Sequence, residues 1–151
     1  MRIIESFKSF KDKWPPCGPF SSMEEVDKVC NELRDMFVEF GDDNGDVKVQ
    51  VFTRGTNCVK IDNSFKSDNK YTISVGLTGI GGVPTKKPFN TNDIFDSVMM
   101  SCEYLESFYD FDIEFKYYTP RLSDGDYNTK EFPKDKKVVA FYITFKEKIN
   151  Q

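Results

Sequence analysis

Histidine is absent from this 151-residue chain. That removes Ser-His-Asp and Cys-His nucleophilic catalysis, together with two-histidine phosphodiesterase chemistry. An enzyme on this sequence would have to use carboxylates, lysine, tyrosine or cysteine. No catalytic constellation of those groups stands out, so none is assigned and the reading leans away from an enzyme. Cys17, Cys30, Cys58 and Cys102 contain no Cys-x-x-Cys pair. Zinc ligands usually come in closely spaced pairs, so no metal site is expected. Cys30 and Cys102 fall on apolar helical stripes instead and read as small core residues, free thiols in a reducing cytoplasm. No apolar run approaches the roughly 20 residues that cross a bilayer. Charge returns at Glu5 and Lys8, so no secretory signal is read at the N-terminus. The expectation is a cytoplasmic protein with no cofactor and no membrane contact.

Alanine occurs once, at Ala140, and arginine only at Arg2, Arg34, Arg54 and Arg121. What is abundant is aromatic: 15 Phe and 7 Tyr, enough for the core to lean on rings. With 38% hydrophobic and 30% charged residues, the chain is of ordinary globular composition. Its length suits one domain, residues 1–151, with a real core. A net charge of −4 argues against a strongly basic nucleic-acid binder.

The stretch from Tyr71 to Tyr109 organises the rest. Tyr71, Ile73, Val75 and Leu77 alternate with Thr72, Ser74 and Gly76, the period of a strand with one apolar face. Gly79, Gly81 and Gly82 then open a turn, and Pro84 and Pro88 bracket the basic pair Lys86 and Lys87. From Asp93 to Tyr109, apolar residues recur at three and four, the stripe of a helix. A glycine-rich loop between strand and helix suggests anion binding. The P-loop pattern fails, however, because Lys86 and Lys87 stand before Pro88 and short of the helix. A connecting flap is the plainer reading.

Ile3, Ile4, Phe7 and Phe10 predict a short N-terminal helix. Cys17-Gly18-Pro19-Phe20 lacks the second cysteine of a redox turn. Ser22 with Glu25 forms a capping box ahead of an unbroken helical stripe from Val26 to Phe40. The acidic turn Gly41–Asp46 does not fit the calcium loop template, which would put Val47 at the glycine position and Thr53 at the glutamate position. Strands follow at Val47–Phe52 and Val59–Ile61. Beyond the central helix come Ile113–Tyr118, a long loop from Thr119 to Asp135, and a last strand through Val139–Phe145. The order α-α-β-β-β-α-β-β, with half-polar strands and short links, predicts an α+β fold. Its five-stranded, mostly antiparallel sheet has helices packed on one face.

That layering leaves the other face uncovered. It would present Lys48, Gln50, Phe52, Lys60, Thr72, Ser74, Lys116, Tyr118, Tyr142 and Thr144. Rings among lysines on an open sheet suit base stacking and phosphate binding, although aromatics and threonine are also simply good strand formers. The candidate ligand-binding residues are Lys48, Lys60, Lys116, Tyr118 and Tyr142 on the sheet. Gly79, Gly81, Gly82, Lys86 and Lys87 on the loop complete the set.

The opening Met1-Arg2-Ile3-Ile4-Glu5-Ser6-Phe7 and the Lys-, Phe- and Asn-rich texture resemble the small accessory proteins of T4-like phages. The resemblance covers texture along the chain and not a motif, so it carries over no functional residue. It implies a protein made in an infected cell, for host takeover or counter-defence. Two functions are expected from these observations. One is a non-catalytic binder of a host protein, or of its own copies. The other is a nucleotide- or single-strand-binding protein that uses the open face and the glycine loop.

Overall fold

The computed structural model describes residues 18–54 and 71–148. The helix expected at Ile3–Phe10, Cys17, Cys58, Lys60 and the strand expected at Val59–Ile61 lie outside the described residues. Helix α1 spans Met23–Met36 and α2 spans Val38–Asp43. Strands β1 (Lys48–Arg54) and β2 (Thr72–Thr78) follow, then the short β3 (Phe89–Asn90) and helix α3 (Phe95–Glu106). Strands β4 (Phe111–Tyr118), β5 (Asp126–Thr129), β6 (Lys137–Val138) and β7 (Ala140–Glu147) complete the order.

The fold is α+β. Five strands form one antiparallel sheet in the order β1-β2-β7-β4-β5, and β3 pairs with β6 as a separate ribbon. The last strand is therefore the central one, inserted between β2 and β4. Ile73, Val75 and Leu77 of β2 and Phe141, Ile143 and Phe145 of β7 are buried on one face. Val29 and Leu33 of α1 and Val98 and Leu105 of α3 belong to the same core. At roughly 1.5–3 kcal/mol per fully buried large apolar side chain, this helix-on-sheet layer is the main source of stability.

At the start of α1, Ser22 Oγ accepts the Glu25 N–H at 3.1 Å. The Glu25 carboxylate reaches back one residue further than the usual box, accepting the Ser21 N–H at 2.7 Å and the Ser21 hydroxyl. The helix expected to run unbroken to Phe40 is interrupted at Phe37, whose backbone leaves helical values (φ −112°, ψ 1°). The interruption re-aims the last turn. Phe37 is fully buried, and Phe40 meets Phe89 at a ring distance of 5.3 Å.

The segment 119–135, expected as a loop, is more structured than that. It holds β5 as an edge strand, with Tyr127 stacked on Tyr117 at 5.2 Å. It also sends Phe132 to the core, 5.2 Å from Phe95 and 5.5 Å from Phe115. Thr91, fully buried before α3, fixes its return. The Thr91 hydroxyl donates to the Pro133 carbonyl at 2.5 Å and accepts the Lys136 N–H at 3.0 Å. No helix among the described residues is long and apolar enough to cross a membrane.

Candidate binding surface on the open sheet face

Strand register sets the open face out in cross-strand rows, because side chains two apart on one strand share a face. One row runs Gln50, Gly76, Tyr142, Lys116, Asn128. The next two run Phe52, Ser74, Thr144, Glu114 and then Arg54, Thr72, Lys146, Asp112. No helix among the described residues covers this face, and Phe52 is 48% exposed.

Tyr118 and Tyr142 form an aromatic corner, their centroids 6.3 Å apart at 80°. Gly76 lies beneath Tyr142. A Cβ there would stand 3.2 Å from two ring carbons, so the missing side chain lets the ring lie against β2. Lys116 reaches over the Tyr118 ring at 5.8 Å and bonds the Asp126 carboxylate at 3.2 Å. The hydrogen bond to Asp126 holds the Lys116 ammonium above its ordinary range. Burial pushes the Tyr142 phenol up. Neither group is thereby readied to act as a base near neutral pH.

Beside this corner is a hollow of about 260 Å³, lined by Gly82, Pro84, Tyr118, Leu122, Ala140 and Tyr142. Two loops wall it. One is the glycine loop, a tight turn in which Gly79 N–H donates to Val83 O at 2.6 Å and Gly82 N–H to Gly79 O at 3.2 Å. Gly81 and Gly82 take φ of +75° and +82°, values that favour glycine. The other is the 3₁₀ turn Leu122–Asp124. Both loops expose apolar side chains: Ile80 is 74% exposed, Val83 55% and Leu122 53%.

Tyr118, Tyr142 and Gly82 thus come together at one hollow, with Lys116 alongside. Lys48 stands on the edge strand of the same face, separated from Tyr118 by β2 and β7. The amides of Lys86 and Lys87 are already taken. Both donate to Asp46 Oδ2, at 2.8 and 3.0 Å, so the protein's own carboxylate occupies the place an anion would seek. Gly79 serves close packing, since a Cβ on it would meet the Pro84 and Val83 carbonyl oxygens at 2.8 and 2.9 Å. Leu122, Arg54 and Lys146 were not among the expected site residues. Cys30 and Cys102 are free thiols, half-buried. Among the described residues no group of three or more cysteines or acids is placed to hold a metal ion.

No family model, curated protein or solved structure matches this chain.

Proposed function

We propose that this chain is a non-catalytic binding protein that docks another protein on the loop end of its open sheet face. Read with the phage-like texture, the partner is a host protein, bound for host takeover or counter-defence. The observation that carries the proposal is the Tyr118–Tyr142 hollow, flanked by exposed Leu122, Ile80 and Val83. An aromatic-lined recess with an apolar rim is the anatomy of an interface hot spot. Arg121, Lys86 and Lys87 put three cations on the two walling loops, against Asp124 and the Asp46 carboxylate held by the Lys86 and Lys87 amides, a balance that stays positive. The recess therefore suits an apolar side chain flanked by acidic residues.

The test is affinity capture from bacterial lysate with three baits: wild type, Leu122→Asp, and Met100→Asp. Leu122 and Met100 are both half-exposed, so neither substitution disturbs the core. The expected outcome is a specific protein held by wild type and M100D and weakened about tenfold or more by L122D. Equal capture by all three baits overturns the proposal. Sedimentation of the same proteins separates self-association: a dimer abolished by L122D makes the partner a second copy of the chain.

A further inference from the structure

The opposite end of the same face carries a second hollow, of about 480 Å³. Its floor is hydroxyl-bearing: Thr72, Ser74 and Thr144, with Ser74 Oγ and Thr144 Oγ1 3.3 Å apart. Its sides are Arg54 and Phe52 on β1 and Lys146 on β7. Thr72 pairs with Arg54 on one side and with Lys146 on the other, so the two cations flank one threonine. Their backbones are two strand spacings apart, about 10 Å, a gap that two long side chains can close over an anion.

Among the described residues, neither Arg54 nor Lys146 forms an ion pair. The described residues form two ion pairs, Lys116–Asp126 and Lys148–Asp112. Asp112, which lies next to Lys146 in the row, is thus engaged by Lys148 at 3.8 Å. Glu114 lies beside Thr144, one row away. Arg54 and Lys146 have no carboxylate partner among the described residues, on a chain whose overall charge is negative. Among the described residues, two cations without a carboxylate partner stand over three hydroxyls, a donor set with no ion-paired acceptor. Guanidinium, ammonium and hydroxyl groups together are what binds a phosphate. Phe52, two residues before Arg54 on the same face, adds an exposed ring on which a flat group can stack.

We infer that this hollow binds a phosphorylated small molecule bearing a planar ring, of the nucleotide class. Its phosphates sit between Arg54 and Lys146 above Thr72, and its ring lies on Phe52. On β7 the two hollows are lined by Ala140 and Tyr142 and by Thr144 and Lys146, so their centres are four residues apart, about 13 Å at roughly 3.3 Å each. The site stands or falls independently of the protein-docking proposal.

The experiment titrates ATP, and inorganic triphosphate in parallel, into the isotope-labelled full chain while backbone amides are followed by NMR. ATP is expected to move the signals of Phe52, Arg54, Thr72, Ser74, Thr144 and Lys146 saturably. The double variant Arg54→Gln/Lys146→Gln is expected to lose affinity for both ligands by about tenfold or more. Phe52→Ala is expected to bring ATP down to the affinity of triphosphate and leave triphosphate unchanged. Unmoved core amides in each variant show that the fold is kept. The inference is overturned by the absence of saturable shifts, by shifts centred on Lys86 and Lys87, or by undiminished binding in the double variant. Equal binding of ATP and triphosphate by wild type overturns the ring.

Discussion

Removing the Asp46 carboxylate should loosen the wall of the aromatic hollow at a cost that can be worked out. Asp46 lies in the turn between α2 and β1, and its Oδ2 accepts the amides of Lys86 and Lys87, 40 and 41 residues away. Hydrogen bonds to a charged acceptor contribute about 1.5–3 kcal/mol each. Both amides are at exposed positions, where water can replace the carboxylate, so the low end applies, roughly 3 kcal/mol for the pair. Against this, Asp46 Oδ1 is buried without a hydrogen-bond partner among the described residues. An unsatisfied buried oxygen costs about 1–3 kcal/mol, and Asp46→Ala removes that cost too. The net expectation is a loss of about 1 kcal/mol, seen as a lower urea midpoint with an unchanged slope. Hydrogen exchange should report the local event directly, with Lys86 and Lys87 amides exchanging faster in D46A. An unchanged midpoint together with unchanged exchange at those two amides would refute the idea that this carboxylate holds the loop.

Three further outcomes follow from the same geometry. Gly79→Ala should cost about 2–3 kcal/mol, because the added Cβ meets backbone oxygens at under 3 Å. Gly81→Ala faces open space at φ +75° and should cost about 1 kcal/mol; urea melts in which the two costs are equal would refute the tight-turn reading. Burial raises the Glu147 carboxyl above its ordinary value of 4.5. The folded chain then holds that proton to higher pH than the unfolded chain. Its stabilising contribution is full below 4.5 and is lost as pH rises through the raised folded value. Glu147→Gln should therefore be more stable than wild type at pH 7, and urea melts in which it is less stable would reverse the sign. Burial also pushes the Cys102 thiol up to about 11. Peptide mapping after iodoacetamide at pH 8 should find it alkylated about 100-fold more slowly than a free cysteine, given the smaller thiolate fraction. A free-cysteine rate there would refute that burial.

Much of this fold could be read from local pattern. The Ser22–Glu25 box, the α1 stripe and the alternation in β1, β2, β4 and β7 each speak within a few residues. The open face followed from the same alternation, and so did Tyr118 and Tyr142. What escaped was non-local or weakly apolar. Strand β5, Asp-Tyr-Asn-Thr, carries no apolar alternation, and its place at the edge is set by pairing with β4. Phe132 looks like one more loop residue until Thr91 pins the segment around it. The link from Asp46 to the Lys86 and Lys87 amides spans some 40 residues, beyond any spacing rule. Arg54 and Lys146 were missed for a smaller reason. The expected strands stop at Phe52 and Phe145, and carrying the alternation two residues past the first and one past the second places both cations on the open face.

The vacancy at Gly76 has one last implication. A phenol whose edge lies over bare main chain is a tile leaned on the sheet, held there by the lack of a Cβ beneath it. A larger residue at that single position would tip the tile and alter the mouth of the neighbouring recess. Selection for recognition could thus fall on an atom that is not there.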